Sequence, residues 1–163
     1  MEARITSFII DQLDIYHVQI FAYSTKGIPG LEINGTGRSV SNIRDKIIYL
    51  TRVNSVSIPM NRYVICVEID TNKKLSSQSL RQLELPIFLV YLFLAKNLSL
   101  VKIDDCLCYG TISADGVISQ YNLPESFKSI TKTIITTQKL DSIKHIDLSN
   151  LLIYFKGLRY ELY

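Results

Sequence analysis

Three groupings of side chains in this sequence have types that could do chemistry. The first is a glycine-rich turn, Glu32-Ile-Asn-Gly-Thr-Gly37-Arg38-Ser39. It approaches the phosphate-cradling pattern G-x-x-x-x-G-K-S/T, in which backbone amides and a lysine hold phosphates. Here Glu32 stands where the first glycine belongs and Arg38 where the lysine belongs. A carboxylate at that place repels phosphate. The turn therefore predicts no ATPase activity and no nucleotide affinity, and leaves only weak anion binding at the helix start that follows. The second grouping is Cys66, Cys106 and Cys108 with His17 and His145. Cys106 and Cys108 lie two apart, so on a strand both face one way. A zinc site needs two more ligands at a recognised spacing, and the others are scattered. These read as packed cysteines, and no metal or other cofactor is expected. The third grouping is a basic run. Between residues 38 and 62 stand Arg38, Arg44, Lys46, Arg52 and Arg62 against one acid, Asp45. A solvated helix face explains such a run; contact with DNA phosphates would use the same residues.

The elements that position these groups follow from periodicity. Residues 3–10 and 15–24 read as strands around Asp11-Gln12-Leu13-Asp14, with Tyr16, Val18, Ile20 and Ala22 on one face. Gly27–Gly30 is a turn, and Leu31–Asn34 a short strand. Val40, Ile43, Ile47 and Leu50 recur at helical spacing and predict a helix from Ser39 to Val53, with Ser39 as its cap. Residues 62–70 form a β-rich run, and residues 71–83 read as a loop. A second helix begins at Pro86, where a missing amide costs nothing, and ends near Lys96-Asn97. It is apolar almost all round and should be buried on most sides. Residues 105–112 read as a strand, Asp115-Gly116 as a tight turn into Val117-Ile118, and residues 133–137 as a strand. A last helix is expected from Leu148 to Lys156, capped by Asp147 and stopped by Gly157. The order gives an α/β (α+β) two-layer sandwich with a mixed β-sheet.

The chain has 163 residues, 47% of them hydrophobic and 20% charged, which suits one domain with a sizeable core. Its net charge of +3 is below the usual footprint of a nucleic-acid-binding domain. The odd number of cysteines fits reduced thiols and a cytoplasmic protein. The most apolar stretch, Leu85 to Ala95, is too short for a bilayer, which needs ~20 residues, so no membrane association is expected. No leader segment is legible at the N-terminus.

Four stretches together resemble the N-terminal domain of ComM and magnesium-chelatase-type AAA+ proteins. Gly27-Ile28-Pro29 with Ile33-Asn34-Gly35 is similar to that family's GLP…IVGLP segment. Pro59-Met-Asn-Arg62 looks like its P-x-x-R-I-T-V run, Glu84-Leu85-Pro86-Ile87 like its D-L-P-I helix start, and Gly110–Gly116 like its G-E-L-S-L-D-G. Ile146 to Gly157 has the apolar pattern of its last helix. Cys66-Val67-Glu68-Ile69 departs from the family's N-L-A-P, and the loop after it is longer.

The resemblance implies a Lon-protease-like fold, shared with the second domain of a ribosomal small-subunit protein. It also implies a single domain over residues 1–163 without the AAA+ module that would follow. Lon-type peptidases pair a serine at the helix start with a lysine after the hairpin. By resemblance these positions fall on Glu84, and near Leu123–Glu125, where no lysine stands; Ser79 and Lys128 are close in sequence but match neither. The expected function is a non-catalytic interaction or assembly domain, with an AAA+ partner, self-association or sequence-independent DNA contact. The alternative is a divergent enzyme or small-molecule-binding protein using the groove of the fold.

Overall fold

A computed structural model describes residues 1–35, 37–130, 132–153, 155 and 157–162. It is a mixed α/β architecture built on a seven-stranded mixed sheet with a second, three-stranded sheet. Strands β1 (Glu2–Asp11) and β2 (Asp14–Thr25) form an antiparallel hairpin whose two-residue turn places Gln12 at φ 58°. Strand β3 (Gly30–Asn34) lies parallel to β4 (Arg62–Ile69), which pairs with β2. On the other side β1 meets β5 (Cys106–Cys108), then β8 (Thr133–Thr136) and β9 (His145–Asp147), all parallel. The small sheet joins β6 (Thr111–Ile112), β7 (Val117–Gln120) and β10 (Arg159–Leu162).

The period-two pattern of the first hairpin delivers Val18, Ile20 and Ala22 to the core as expected. Helix α1 (Ser39–Val53) has the expected bounds, and Ile43, Ile47 and Leu50 are its buried stripe. Ser39 does not cap it. Residue 38 is the capping residue and makes no side-chain cap bond, while the Ser39 hydroxyl donates to Ser77 Oγ at 3.1 Å.

The segment read as a loop, residues 71–83, instead carries α2 (Ser77–Leu80), capped by Ser76, and a 3-10 turn at Arg81–Leu83. Helix α3 (Glu84–Leu94) continues directly from that turn, two residues before the expected start. Pro86 would bond the Gln82 carbonyl if it had an amide. That carbonyl accepts from Gly110 N–H at 3.1 Å instead, and Gly110 O accepts from Leu85 N–H at 3.1 Å. The end of α3 is as expected: Lys96 takes φ 59°, and Asn97 N–H bonds Leu92 O at 2.8 Å, closing the helix in a Schellman motif.

All eleven residues of α3 are buried. The reason is its position, packed against β1, β2 and β4 on one side and against β6 of the second sheet on another. The chain reaches that second sheet by breaking the single strand expected over 105–112. Gly110 sits at φ 130°, and a Cβ there would lie 2.7 Å from Ser119 O. Only glycine makes this corner.

Strand β1 is covered on its other face too. Phe8, Leu107, Tyr109, Leu123, Phe127 and Ile134 form a second cluster there, with the Phe8 ring 4.7 Å from Tyr109 and 4.5 Å from Phe127. Phe127 belongs to a one-turn helix, α4 (Glu125–Lys128), that lacks a readable apolar period. Helix α5 is also one turn, Leu148–Leu151, not the longer helix expected to reach Lys156. Asp147 caps it as expected, accepting from Ser149 N–H at 2.9 Å. Leu148, Leu151, Leu152 and Phe155 are buried, so the apolar stripe is real although the helix is short. The expected stop at Gly157 therefore falls outside any helix, and Lys156 lies outside the described residues. No helix among the described residues is long and apolar enough to cross a membrane.

Candidate functional site

Glu84 stands at the first turn of α3 and is 2% exposed. A buried carboxylate needs partners for both oxygens. Its Oε1 accepts from Lys46 Nζ at 2.5 Å and from Arg81 Nε at 3.3 Å. Its Oε2 accepts from Ile112 N–H at 3.1 Å. The acid thus ties α1, the start of α3 and the second sheet together. The lysine comes from the border of the buried stripe of α1, three residues after Ile43 and four before Leu50. A small cavity of about 220 Å³ opens beside this pair, with Ser39, Asn42 and Ser77 in its wall.

The five cations of the basic run are spread rather than gathered. Arg44 pairs with Asp45 at 3.2 Å on the helix surface. Lys46 points inward to Glu84. Arg62 on β4 pairs with Glu32 on β3 at 2.7 Å, and that hydrogen bond holds the Glu32 carboxyl below its usual range. Arg38 and Arg52 are exposed at opposite ends of α1, roughly 20 Å apart along a helix of this length. Arg52 borders a shallow apolar groove with Ile48, Ile58, Pro59 and Met60.

Arg38 opens instead into a cleft of about 630 Å³ lined on one side by Gly35 and Gly37 and on the other by the segment 71–77. Lys73 and Lys74 line the same cleft, with Ser39, Thr71 and Ser77 supplying hydroxyls. These two lysines are functional candidates that the sequence reading passed over inside a presumed loop. Their signal was present as adjacent cations in a polar stretch, but nothing local says that the stretch folds back against the start of α1.

Ser79 is buried, and its hydroxyl donates to Asp11 Oδ1 at 2.6 Å while lying 2.9 Å from Ser76 Oγ. This arrangement fastens α2 to the end of β1. Leu123 is buried in the second cluster, and Glu125 pairs with Lys128 on α4.

Cys106 and Cys108 are buried on β5, as expected of packed cysteines, and burial pushes both thiols up, Cys108 the more strongly. Cys66 is half-buried on β4. Among the described residues, no three His, Cys, Asp or Glu side chains come together in a way that could hold a metal ion. A thiol reacts as its thiolate, so burial and a raised pKa both slow it. Titration of the native protein with a chromogenic disulfide reagent near neutral pH should therefore modify one thiol promptly, Cys66, and all three only after unfolding. Prompt native reaction at Cys108, located by mass spectrometry, would contradict this packing.

No family model matches the chain, and no curated protein matches its sequence.

Proposed function

We propose that this chain is a non-catalytic interaction domain of the Lon-protease-like kind that precedes the AAA+ module in ComM-type proteins. The observation that carries the reading is Glu84. At the position where a Lon-type peptidase would hold its serine nucleophile stands a carboxylate whose two oxygens are engaged by Lys46, Arg81 and the Ile112 amide. A carboxylate so held is a strut, not an acyl acceptor. The element order supports the same reading: a first hairpin, β3 after the Gly27–Gly30 turn, α1, β4, then α2 and a 3-10 turn leading into the Glu84-Leu85-Pro86 helix start, β5, the hairpin β6–β7, the one-turn α4 and β8. Where the base would stand, Leu123 is packed in the core and Glu125 is an acid.

A serine hydroxyl becomes a nucleophile only when a base within about 3 Å takes its proton. Ser79 has an aspartate at that distance, a far weaker base than the lysine or histidine such sites employ. Incubation with casein and with a serine-reactive fluorophosphonate should give neither cleavage nor labelling. Labelling of Ser79 that disappears in Ser79→Ala together with casein cleavage would overturn the reading in favour of a divergent hydrolase.

A further inference from the structure

We propose that the cleft between the start of α1 and the segment 71–77 binds the phosphodiester backbone of a nucleic acid without reading its sequence. This deepens the interaction-domain reading and rests on it.

The first observation is where the charge goes. Arg44, Lys46, Arg62, Lys102 and Lys128 each lie within 4 Å of a carboxylate. The cleft differs. Arg38 and Lys74 have no ion-pair partner among the described residues, and no carboxylate lines the cleft. Lys73 reaches Asp14 at 3.3 Å, but both side chains are largely exposed, 71% and 60%. Such a pair is worth little in water and exchanges readily for phosphate. Three cations from two segments distant in sequence therefore line one concavity that no carboxylate lines. That is a local excess of charge in a chain whose overall balance is only +3.

The second observation is what the cleft lacks. It has no aromatic ring on which a base could stack, and its apolar lining is aliphatic, chiefly Ile69, Leu75 and Leu80. Small-ligand sites fix their occupant with a few rigid, converging polar groups. Here the charges sit on long flexible stems at the surface. That suits a backbone of repeating phosphates, whose binding releases counterions and is indifferent to bases. The near miss to a phosphate-cradling loop falls on one wall of the same cleft, with Glu32 outside its lining and paired to Arg62.

The test is fluorescence anisotropy with a short labelled DNA duplex of mixed sequence at several salt concentrations. The parent should bind at low salt, with affinity falling linearly on a log–log plot. Arg38→Glu with Lys74→Glu should weaken binding about tenfold or more and make the slope shallower by about two. Lys73→Gln with Lys74→Gln, which only neutralises, should act in the same direction. Arg52→Glu, at the far end of α1, should bind as the parent does. All of these positions are exposed, and unchanged thermal melting of the variants confirms that folding is not the cause. Parent-like binding by both cleft variants would overturn the site. No binding by the parent at low salt would overturn the nucleic-acid assignment while leaving the fluorophosphonate result untouched. Displacement of the duplex by micromolar ATP would reassign the cleft to a small phosphorylated molecule.

Discussion

Replacing Glu84 with alanine is expected to lower the stability of the fold by about 3–5 kcal/mol, the range for removing one partner of a buried ion pair. The side chain is 3% exposed, and Lys46 beside it is 19% exposed. Alanine leaves the Lys46 ammonium in a largely dry site with no counter-charge, and it leaves the Ile112 amide without an acceptor. Arg81, with 43% of its side chain in solvent, turns outward at little cost. A domain of this size has a total stability of only about 5–15 kcal/mol, so the loss is a large share of it. The combination Glu84→Leu with Lys46→Met removes both charges at once and should recover much of the loss, because apolar replacements of buried pairs are often neutral. Recovery should stay incomplete by about 1–3 kcal/mol, since the Ile112 N–H remains unsatisfied. Urea unfolding of the three proteins, read by midpoint at constant slope, decides it. A loss below about 1 kcal/mol for Glu84→Ala would show that the pair is hydrated and that the strut does not exist.

The sequence set Glu84 just ahead of a helix start at Pro86, and the structure brings it into the first turn of α3, where the dipole favours an acid. Its partner was less visible, though the signal was there. Lys46 falls at i+3 from Ile43 and i−4 from Leu50, so it belongs to the border of the buried stripe and not to the solvated face on which the charge pattern alone placed it. What lay beyond sequence was the distance between the two, 38 positions apart in the chain, closed only when α1 and α3 dock on one sheet. Elements with a strong period were legible for the converse reason. The α1 stripe and the alternation of β2 depend on local spacing, which packing then exploits.

The failures have physical causes as well. Residues 105–112 have uninterrupted strand composition except for Gly110, and a single glycine does not tell whether a strand continues or turns a corner. Here the corner is forced because α3 needs a second sheet above it. The last helix stops after one turn even though its apolar residues continue at helical spacing. Leu152 and Phe155 reach the core without helical geometry, the Phe155 ring 5.6 Å from Phe88. Burial was legible there, but backbone form was not. Lys73 and Lys74 are the functional counterpart. Cations in a polar stretch look alike whether they face bulk water or a cleft, and only the packing of α2 against β1 separates the two.

Substitution of Gly35 by alanine should be about as damaging as loss of Glu84, for a different reason. Gly35 follows β3 at φ 106°, a backbone region that costs an L residue on the order of 1–3 kcal/mol. The added Cβ would stand 2.1 Å from the Val67 carbonyl oxygen and 3.1 Å from its carbon. No flexible side chain can yield there, because the obstacle is backbone. Val67 is itself fixed, since β4 lies between β2 and β3 in the sheet and Val67 pairs with Ile20. Relief must come from the turn, by pulling residue 35 away from β4, and overpacking of this kind costs a further ~1–3 kcal/mol. Roughly 2–6 kcal/mol is the expected sum, a range centred where that for Glu84→Ala lies.

Two neighbouring glycines calibrate the result. Gly30 has open space and no positive φ, so Gly30→Ala should be neutral or slightly stabilising, by ~0.4–1 kcal/mol. Gly37 has open space but φ 60°, so Gly37→Ala should cost about 1–2 kcal/mol from conformation alone. The expected order of urea midpoints is Gly30→Ala highest, then Gly37→Ala, then Gly35→Ala well below. If Gly35→Ala unfolds no earlier than Gly37→Ala, the close approach of the turn to β4 is wrong. If the order holds, any folded Gly35→Ala protein should also bind the labelled duplex more weakly than Gly30→Ala does. The turn that must retreat from Val67 is the same turn that carries Arg38 to the cleft.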